Sequence, residues 1–175
     1  LIEYAGKLAA LLHRQNPQVE IWLVATWSRA DQVYPDQGHW HGRRIEAMAT
    51  DIEQACYQAK AGSPYLRGVV EVGAAWNRAF RAGVADPNPY DGLVPGQVDL
   101  WTDDHYHASA FGYYLEALMV FGKTTGINPL SLGREEAAAS ELGFTPEQTV
   151  ALQRIASETL SAKRDLQPNP QAAKN

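Results

Sequence analysis

Two short apolar runs separated by a helical segment restrict the fold more than any other feature of the chain. Val19 to Ala25 (VEIWLVA) is almost continuously apolar, as strands of a parallel sheet are when both of their faces are buried. Gly68 to Val72 (GVVEV) has the same character. Between them, Arg44 to Ala61 places apolar residues at the three-and-four spacing of an amphipathic helix. This alternation predicts parallel strands joined by a right-handed crossover, hence an α/β fold.

Further helices are expected on both sides of this unit, within a single domain over residues 1–164. They are predicted at Leu1 to Leu12, Gly73 to Ala82, Ser131 to Leu142 and Thr145 to Lys163. The segments Thr26 to Arg44 and Asp86 to Gly96 lack a regular pattern and are expected to be loops. Residues 165–175 are polar and rich in proline, glutamine and asparagine, and are predicted to be a disordered tail.

Composition narrows the class of protein and its partners. The 175 residues are 45% hydrophobic, enough for one domain with a core. The net charge of −5, without a basic cluster, argues against a nucleic-acid partner. No apolar run approaches the roughly 20 residues of a membrane helix. Cys56 is the only cysteine and is expected to be a small buried side chain. Because Leu1 already lies in a helical pattern, we expect residues before it, and a signal peptide there would direct the protein to the periplasm or the exterior.

The stretch from Leu100 to Phe121 (LWTDDHYHASAFGYYLEALMVF) contains the candidate chemistry. Asp104 and His107 are three residues apart in a turn that leads into an amphipathic helix. In such a turn the carboxylate can hold one imidazole nitrogen while the other faces a cleft, which is the base-and-orienter half of a Ser-His-Asp arrangement. The alternative is a helix-capping Asp104 and a solvated His107. Asp103 and His105 are expected to point elsewhere.

Asp104-x-x-His107, followed by Gly112 and an apolar helix, resembles the last signature block of the SGNH (GDSL-like) hydrolase family. The resemblance covers roughly Val19 to Gly126. It implies a flavodoxin-like three-layer sandwich and ester hydrolysis through an acyl-enzyme, with no cofactor or metal. The family's Gly-Asp-Ser nucleophile block and its blocks for the oxyanion hole are not in this sequence. We therefore expect the C-terminal part of such an enzyme, without its N-terminal strands.

Ligands of open α/β sheets bind beyond the carboxyl ends of the strands, where the loop after Ala25, the turn after Val72 and the Asp-x-x-His turn should meet. The predicted walls of a pocket for a small-molecule ester are Thr26, Trp27, Arg29, Trp76 and Tyr106. The aromatic rings would supply apolar contact, and the arginine a fixed charge for a polar or anionic substrate group. Each tryptophan has core packing as its alternative. Ser28 follows a strand, but its large neighbours do not suit a tight nucleophile turn.

Two other functional classes remain open. Loss of the first strands would expose a sheet edge, so the chain is alternatively a non-catalytic interaction domain that pairs with another chain or with itself. His39 and His41, together with the DDHYH run at residues 103–107, offer enough ligands for a metal-dependent hydrolase. Neither an H-E-x-x-H motif nor a cysteine pair supports this second alternative.

Overall fold

The computed structural model describes residues 1–165, and these form a mixed helix and strand fold. The predicted disorder of the tail concerns residues that, apart from Asp165, lie outside the described part. The helices are α1 Ile2–Gln15, α2 Ala30–Val33, α3 Glu46–Ala61, α4 Val72–Arg81, α5 Ala110–Thr125, α6 Ala137–Glu141 and α7 Pro146–Asp165, with a 3₁₀ helix at Pro129–Leu132. The strands are β1 Ile21–Ala25 and β2 Leu66–Glu71.

The two strands pair in parallel, as the alternation of elements predicts. Trp22 lies opposite Gly68, and Ala25 lies opposite Glu71. A Cβ atom at Gly68 would lie 2.5 Å from the Trp22 ring, so the glycine makes room for an indole that crosses the neighbouring strand. Over residues 1–165 the sheet contains these two strands only, and each has an outer edge without a strand partner.

Helices cover both faces of the sheet because alternate strand side chains point to opposite sides. On one face, Ile21 and Leu23 pack with Ala9 of α1 and Ala59 of α3. On the other face lies the main core, to which α4, α5 and α7 contribute. Its large, fully buried side chains include Trp76, Trp101, Leu115, Met119 and Leu152. Cys56 is buried and free, as expected.

A buried ion pair closes the end of β2. The Glu71 side chain is completely buried, and both of its carboxylate oxygens lie 3.0 Å from Lys123 Nζ on α5. The Tyr57 hydroxyl of α3 donates a hydrogen bond to the same carboxylate. The three side chains therefore connect α3, β2 and α5 through one fully partnered charge.

The predicted helix from Ser131 to Leu142 is wrong, because the chain forms two short elements there. Asn128 caps the 3₁₀ helix by accepting a hydrogen bond from Leu130 N, and Gly133, at φ +80°, ends it. A second start follows at Glu136, whose carboxylate accepts hydrogen bonds from the N–H groups of Ala138 and Ala139. These local caps outweigh the helical pattern of the intervening residues.

Helix α2 was not predicted, whereas the start of α7 was. The loop after β1 includes one helical turn, α2, whose Ala30 and Val33 are buried in the main core. The start of α7 is as predicted, since Thr145 and Gln148 exchange side-chain to backbone hydrogen bonds of 2.9 and 3.2 Å. None of the helices within residues 1–165 is long and apolar enough to cross a membrane.

A candidate Asp-His active site

A tight turn brings Asp104 and His107 into contact. Trp101 and Ala108 form an antiparallel bridge, and inside it Thr102 N donates to His107 O at 2.9 Å. The turn between them places His107 Nδ1 2.5 Å from Asp104 Oδ2, the contact expected from their spacing. The carboxylate thus holds one ring nitrogen and leaves Nε2 for another partner, the arrangement of a general base with its orienting group.

The two carboxylate oxygens of Asp104 have separate partners. Oδ1 accepts hydrogen bonds from Thr102 Oγ1 at 2.7 Å, Tyr106 N at 2.9 Å and His107 N at 2.8 Å. Oδ2 is left for the imidazole. The hydrogen bond from His107, followed by those from Thr102 and the two backbone N–H groups, holds the pKa of Asp104 well below its usual range. Asp104 is therefore a carboxylate at neutral pH.

The alternative role of Asp104 as the cap of the following helix does not match the structure. Ser109 is the N-cap of α5, and its hydroxyl oxygen accepts a hydrogen bond from Gly112 N at 3.3 Å. The same hydroxyl donates to Asp99 O at 2.7 Å. Because Ser109 satisfies the start of α5, the Asp104 carboxylate is free to serve the turn and the imidazole.

A cavity of about 350 Å³ lies beside His107. Four of the five predicted wall residues border it, and they are Thr26, Trp27, Arg29 and Tyr106. Its other walls are Met48 and Ile52 of α3 and Tyr113 of α5. These three residues were not predicted from the sequence. Met48 and Ile52 lie on the apolar face of α3, which is expected to be in the core, and nothing in the sequence shows that this face extends to the cavity.

Trp76 differs from the prediction because it lies behind the cavity wall. Its side chain is completely buried, and its ring lies parallel to that of Trp27 with centroids 4.7 Å apart. Trp27 is the residue on the cavity, held there by a hydrogen bond from its Nε1–H to Tyr106 O at 3.0 Å. The position of Trp76 on the inner face of α4 makes it a core residue, the alternative that the sequence left open.

Arg29 borders the cavity, but its charge is paired within the chain. Its Nε and Nη2 atoms donate to the two carboxylate oxygens of Asp31 at 3.0 and 2.6 Å. The guanidinium carbon lies 3.9 Å from the centroid of the Tyr106 ring. The hydrogen bond to Asp31 raises the pKa of Arg29 above its ordinary value. The arginine therefore packs on the Tyr106 ring, and its charge is neutralised by Asp31. This differs from the prediction, in which the Arg29 charge was available to a substrate anion.

No serine borders the cavity in the described part of the chain. Ser28 is buried, and its Oγ accepts a hydrogen bond from Ala49 N at 2.9 Å, so it joins the loop after β1 to α3. The lining residues that carry hydroxyl groups are Thr26, Tyr106 and Tyr113. The cavity is thus bordered by the histidine of the Asp104–His107 pair but by no serine of the described residues.

The histidines proposed as metal ligands do not converge. His41 lies 3.2 Å from Tyr34 O through Nδ1 and 3.7 Å from Asp36 through Nε2, and His39 is exposed. Among residues 1–165, no three side chains of histidine, cysteine, aspartate or glutamate are grouped so that they could hold a metal ion.

Comparison with known proteins gives no match to a family model, to a curated protein or to a solved structure.

Proposed function

We propose that this chain carries the general base and the orienting carboxylate of an SGNH-type serine ester hydrolase. The observation that carries the proposal is the 2.5 Å contact between Asp104 Oδ2 and His107 Nδ1 at the border of a cavity. A cavity of this volume is within the range that takes a small molecule. Parallel strands with helices on both faces support a flavodoxin-like sandwich as the fold around this site.

In the proposed reaction, His107 Nε2 removes the proton from a serine hydroxyl as its oxygen attacks the ester carbonyl. The bond to the alcohol breaks, and His107 returns the proton to the departing alkoxide. Water then attacks the acyl-serine with the same assistance and releases the carboxylic acid. Asp104 stabilises the imidazolium at both stages. The reaction needs no cofactor.

A fluorophosphonate probe tests this proposal, since it phosphonylates only an activated serine. The product of the complete reading frame should react at one serine other than Ser28. His107→Gln should slow labelling by roughly 10²- to 10⁴-fold, and Asp104→Asn should also slow it. The matched control is His39→Gln, an exposed histidine away from the cavity. Failure to label, or labelling that His107→Gln does not change, would contradict the proposal.

A protein that consists of these 175 residues alone should hydrolyse p-nitrophenyl acetate only weakly. Ser28, which stands between the lining residues Trp27 and Arg29, is buried and hydrogen-bonded to Ala49 N. Ser28→Ala should therefore leave this weak rate unchanged. Strong hydrolysis that disappears in Ser28→Ala would overturn the assignment of the nucleophile to another residue.

The exposed apolar side chains of the first helix favour a second candidate function, a domain that associates with itself. Helix α1 and the residue before it present to solvent a set of large apolar side chains that are each 41–70% exposed. They are Leu1, Ile2, Tyr4, Leu8, Leu11 and Leu12. Val24 of β1 is also 38% exposed. Several exposed large apolar side chains, in a chain whose sheet also has unpaired edges within residues 1–165, are typical of a surface that associates with another copy.

Light scattering over a concentration series tests self-association. We expect the average mass to rise with concentration and to return to that of a monomer when Leu8 and Leu11 are both replaced by lysine. Leu142→Lys is the control. Leu142 is also 50% exposed, but it lies at the end of α6, away from α1 in the sequence. A constant monomer mass at high concentration would exclude this candidate.

A further inference from the structure

We propose that a second cavity, bordered by α3, β2 and α5, binds a small molecule that joins a phosphate monoester to a planar ring. The cavity has a volume of about 440 Å³. It shares no lining residue with the cavity beside His107. The proposal therefore does not depend on the function proposed above.

Basic residues from three different elements border this second cavity. They are Lys60 of α3, Arg67 of β2 and Lys123 of α5, and no acidic residue of the described part of the chain joins them in the wall. The cavity beside Arg134, in contrast, has Glu147 in its wall. In a chain with a net charge of −5, a cavity wall with only basic charges favours an anionic ligand.

Two of these cations have charges that a ligand can use. Lys60 forms no ion pair among the side chains that the structure describes. Arg67 lies 3.5 Å from Glu20, but the two side chains are 63% and 61% exposed. Exposed ion pairs of this kind are weak. An anion can therefore bind Lys60 and Arg67 without breaking a buried contact.

The third cation, Lys123, is held in one position by the buried ion pair at the end of β2. Its side chain is 16% exposed, and its Nζ atom lies 3.0 Å from each carboxylate oxygen of Glu71. An ammonium group has three N–H donors. Because Glu71 accepts two of them, one donor of fixed position remains for a ligand in the cavity that Lys123 borders.

Aromatic residues border the same cavity beside the cations. Trp22 and Tyr57 are both in its wall. The Trp22 ring lies against Gly68, another wall residue, at which a Cβ atom would be 2.5 Å from the indole. Aromatic side chains next to basic groups are how proteins bind planar rings that carry a phosphate. A volume of about 440 Å³ is within the range of small-molecule sites.

The test is a titration of the 175-residue chain with phenyl phosphate, followed by NMR at the Gly68 amide and the Trp22 indole N–H. Both resonances should shift saturably, and the affinity should fall as salt is added. Inorganic phosphate lacks the ring and benzyl alcohol lacks the charge, so each should bind about 10-fold more weakly. Absence of saturable shifts with phenyl phosphate, or equal affinity for either fragment, would overturn the proposal.

Substitution of Lys60 tests whether the charges of the wall hold the anion. Lys60→Met should raise the Kd for phenyl phosphate about 10-fold, Lys60→Glu should abolish saturable binding, and Lys60→Arg should retain it. The matched control is Lys7→Met, an exposed lysine of α1 outside the cavity wall, which should leave the Kd unchanged. Circular dichroism checks the fold, and Arg67→Met, on another element, should give the same loss as Lys60→Met. Unchanged binding in Lys60→Glu would overturn the proposal.

Discussion

Trp27 lies flat against Trp76, with ring centroids 4.7 Å apart and ring planes inclined by 7°. Trp76 is completely buried in the main core, whereas Trp27 forms a wall of the cavity beside His107. The edge of the Tyr113 ring also contacts Trp27, at 6.1 Å between centroids. The cavity wall is thus the outermost layer of the core, and changes in core packing should alter the candidate site.

Replacement of Trp27 should separate the stacking from the hydrogen bond. Trp27→Ala removes both and should lower the free energy of unfolding by about 3 kcal/mol. Trp27→Phe keeps an aromatic ring on Trp76 but loses the hydrogen bond to Tyr106 O, and should cost about 1 kcal/mol. Urea denaturation measures both values. Equal losses in the two variants would show that stacking on Trp76 contributes little.

Acidification should reveal the contribution of Asp104 to stability. Because its pKa is lower in the folded chain than the ordinary value of 3.8, Asp104 stabilises the fold at pH values above that ordinary pKa. This contribution declines as the pH falls below about 3.8 toward the lower folded pKa. Asp104→Asn should therefore lower stability at neutral pH and show a shallower acid loss than the wild type. Asp103→Asn, an exposed neighbour, is the control and should follow the wild-type profile; an identical acid profile for Asp104→Asn would contradict the prediction.

Removal of one partner of the buried ion pair should be severe. Lys123→Met leaves the completely buried Glu71 carboxylate without its cation and should cost about 3–5 kcal/mol. The double variant Glu71→Gln with Lys123→Met removes the uncompensated charge and should be more stable than Lys123→Met alone. Urea denaturation of the two single variants and the double variant gives the coupling energy. Additive losses would mean that the pair does not act as a unit.

Gly112 should not tolerate a side chain. A Cβ atom there would lie 2.4 Å from Leu100 O and 2.6 Å from the Trp76 ring. Gly112→Ala must therefore move α5 away from the strand-like segment before the Asp-His turn, at a cost of about 2 kcal/mol. Gly62→Ala is the matched control, since its Cβ would meet only atoms 3.6 Å away and should change stability by less than about 0.5 kcal/mol. Comparable stability of the two variants would contradict this prediction.

Sequence patterns predict correctly those features of the fold that depend on neighbouring residues. The two strands, their parallel pairing and the crossover helix follow from apolar periodicity, and the contact between Asp104 and His107 follows from their spacing. The split between Pro129 and Glu141 was missed because the caps at Asn128 and Glu136 depend on side-chain geometry that periodicity does not contain.

Long-range packing accounts for the other differences at the site. Trp27 lies in the loop after β1 and Trp76 on helix α4, and only the packing of α4 against the core shows that Trp76 is buried behind Trp27. The pairing of Arg29 with Asp31 is local in sequence, but its fixed orientation depends on Tyr106, 77 positions further on. Met48 and Ile52 border the cavity because α3 crosses it, which no spacing within α3 shows.

The sheet has only two strands within residues 1–165, so we do not expect it to be the part of the backbone that unfolds last. Five registered pairs join β1 to β2, and both outer edges of this sheet have no strand partner within residues 1–165. Helices α5 and α7, in contrast, pack against each other through completely buried side chains such as Leu115 and Leu152. Amide protons in these two helices should therefore exchange with deuterated water more slowly than those of β1, so the most persistent unit of this α/β fold is a helical pair.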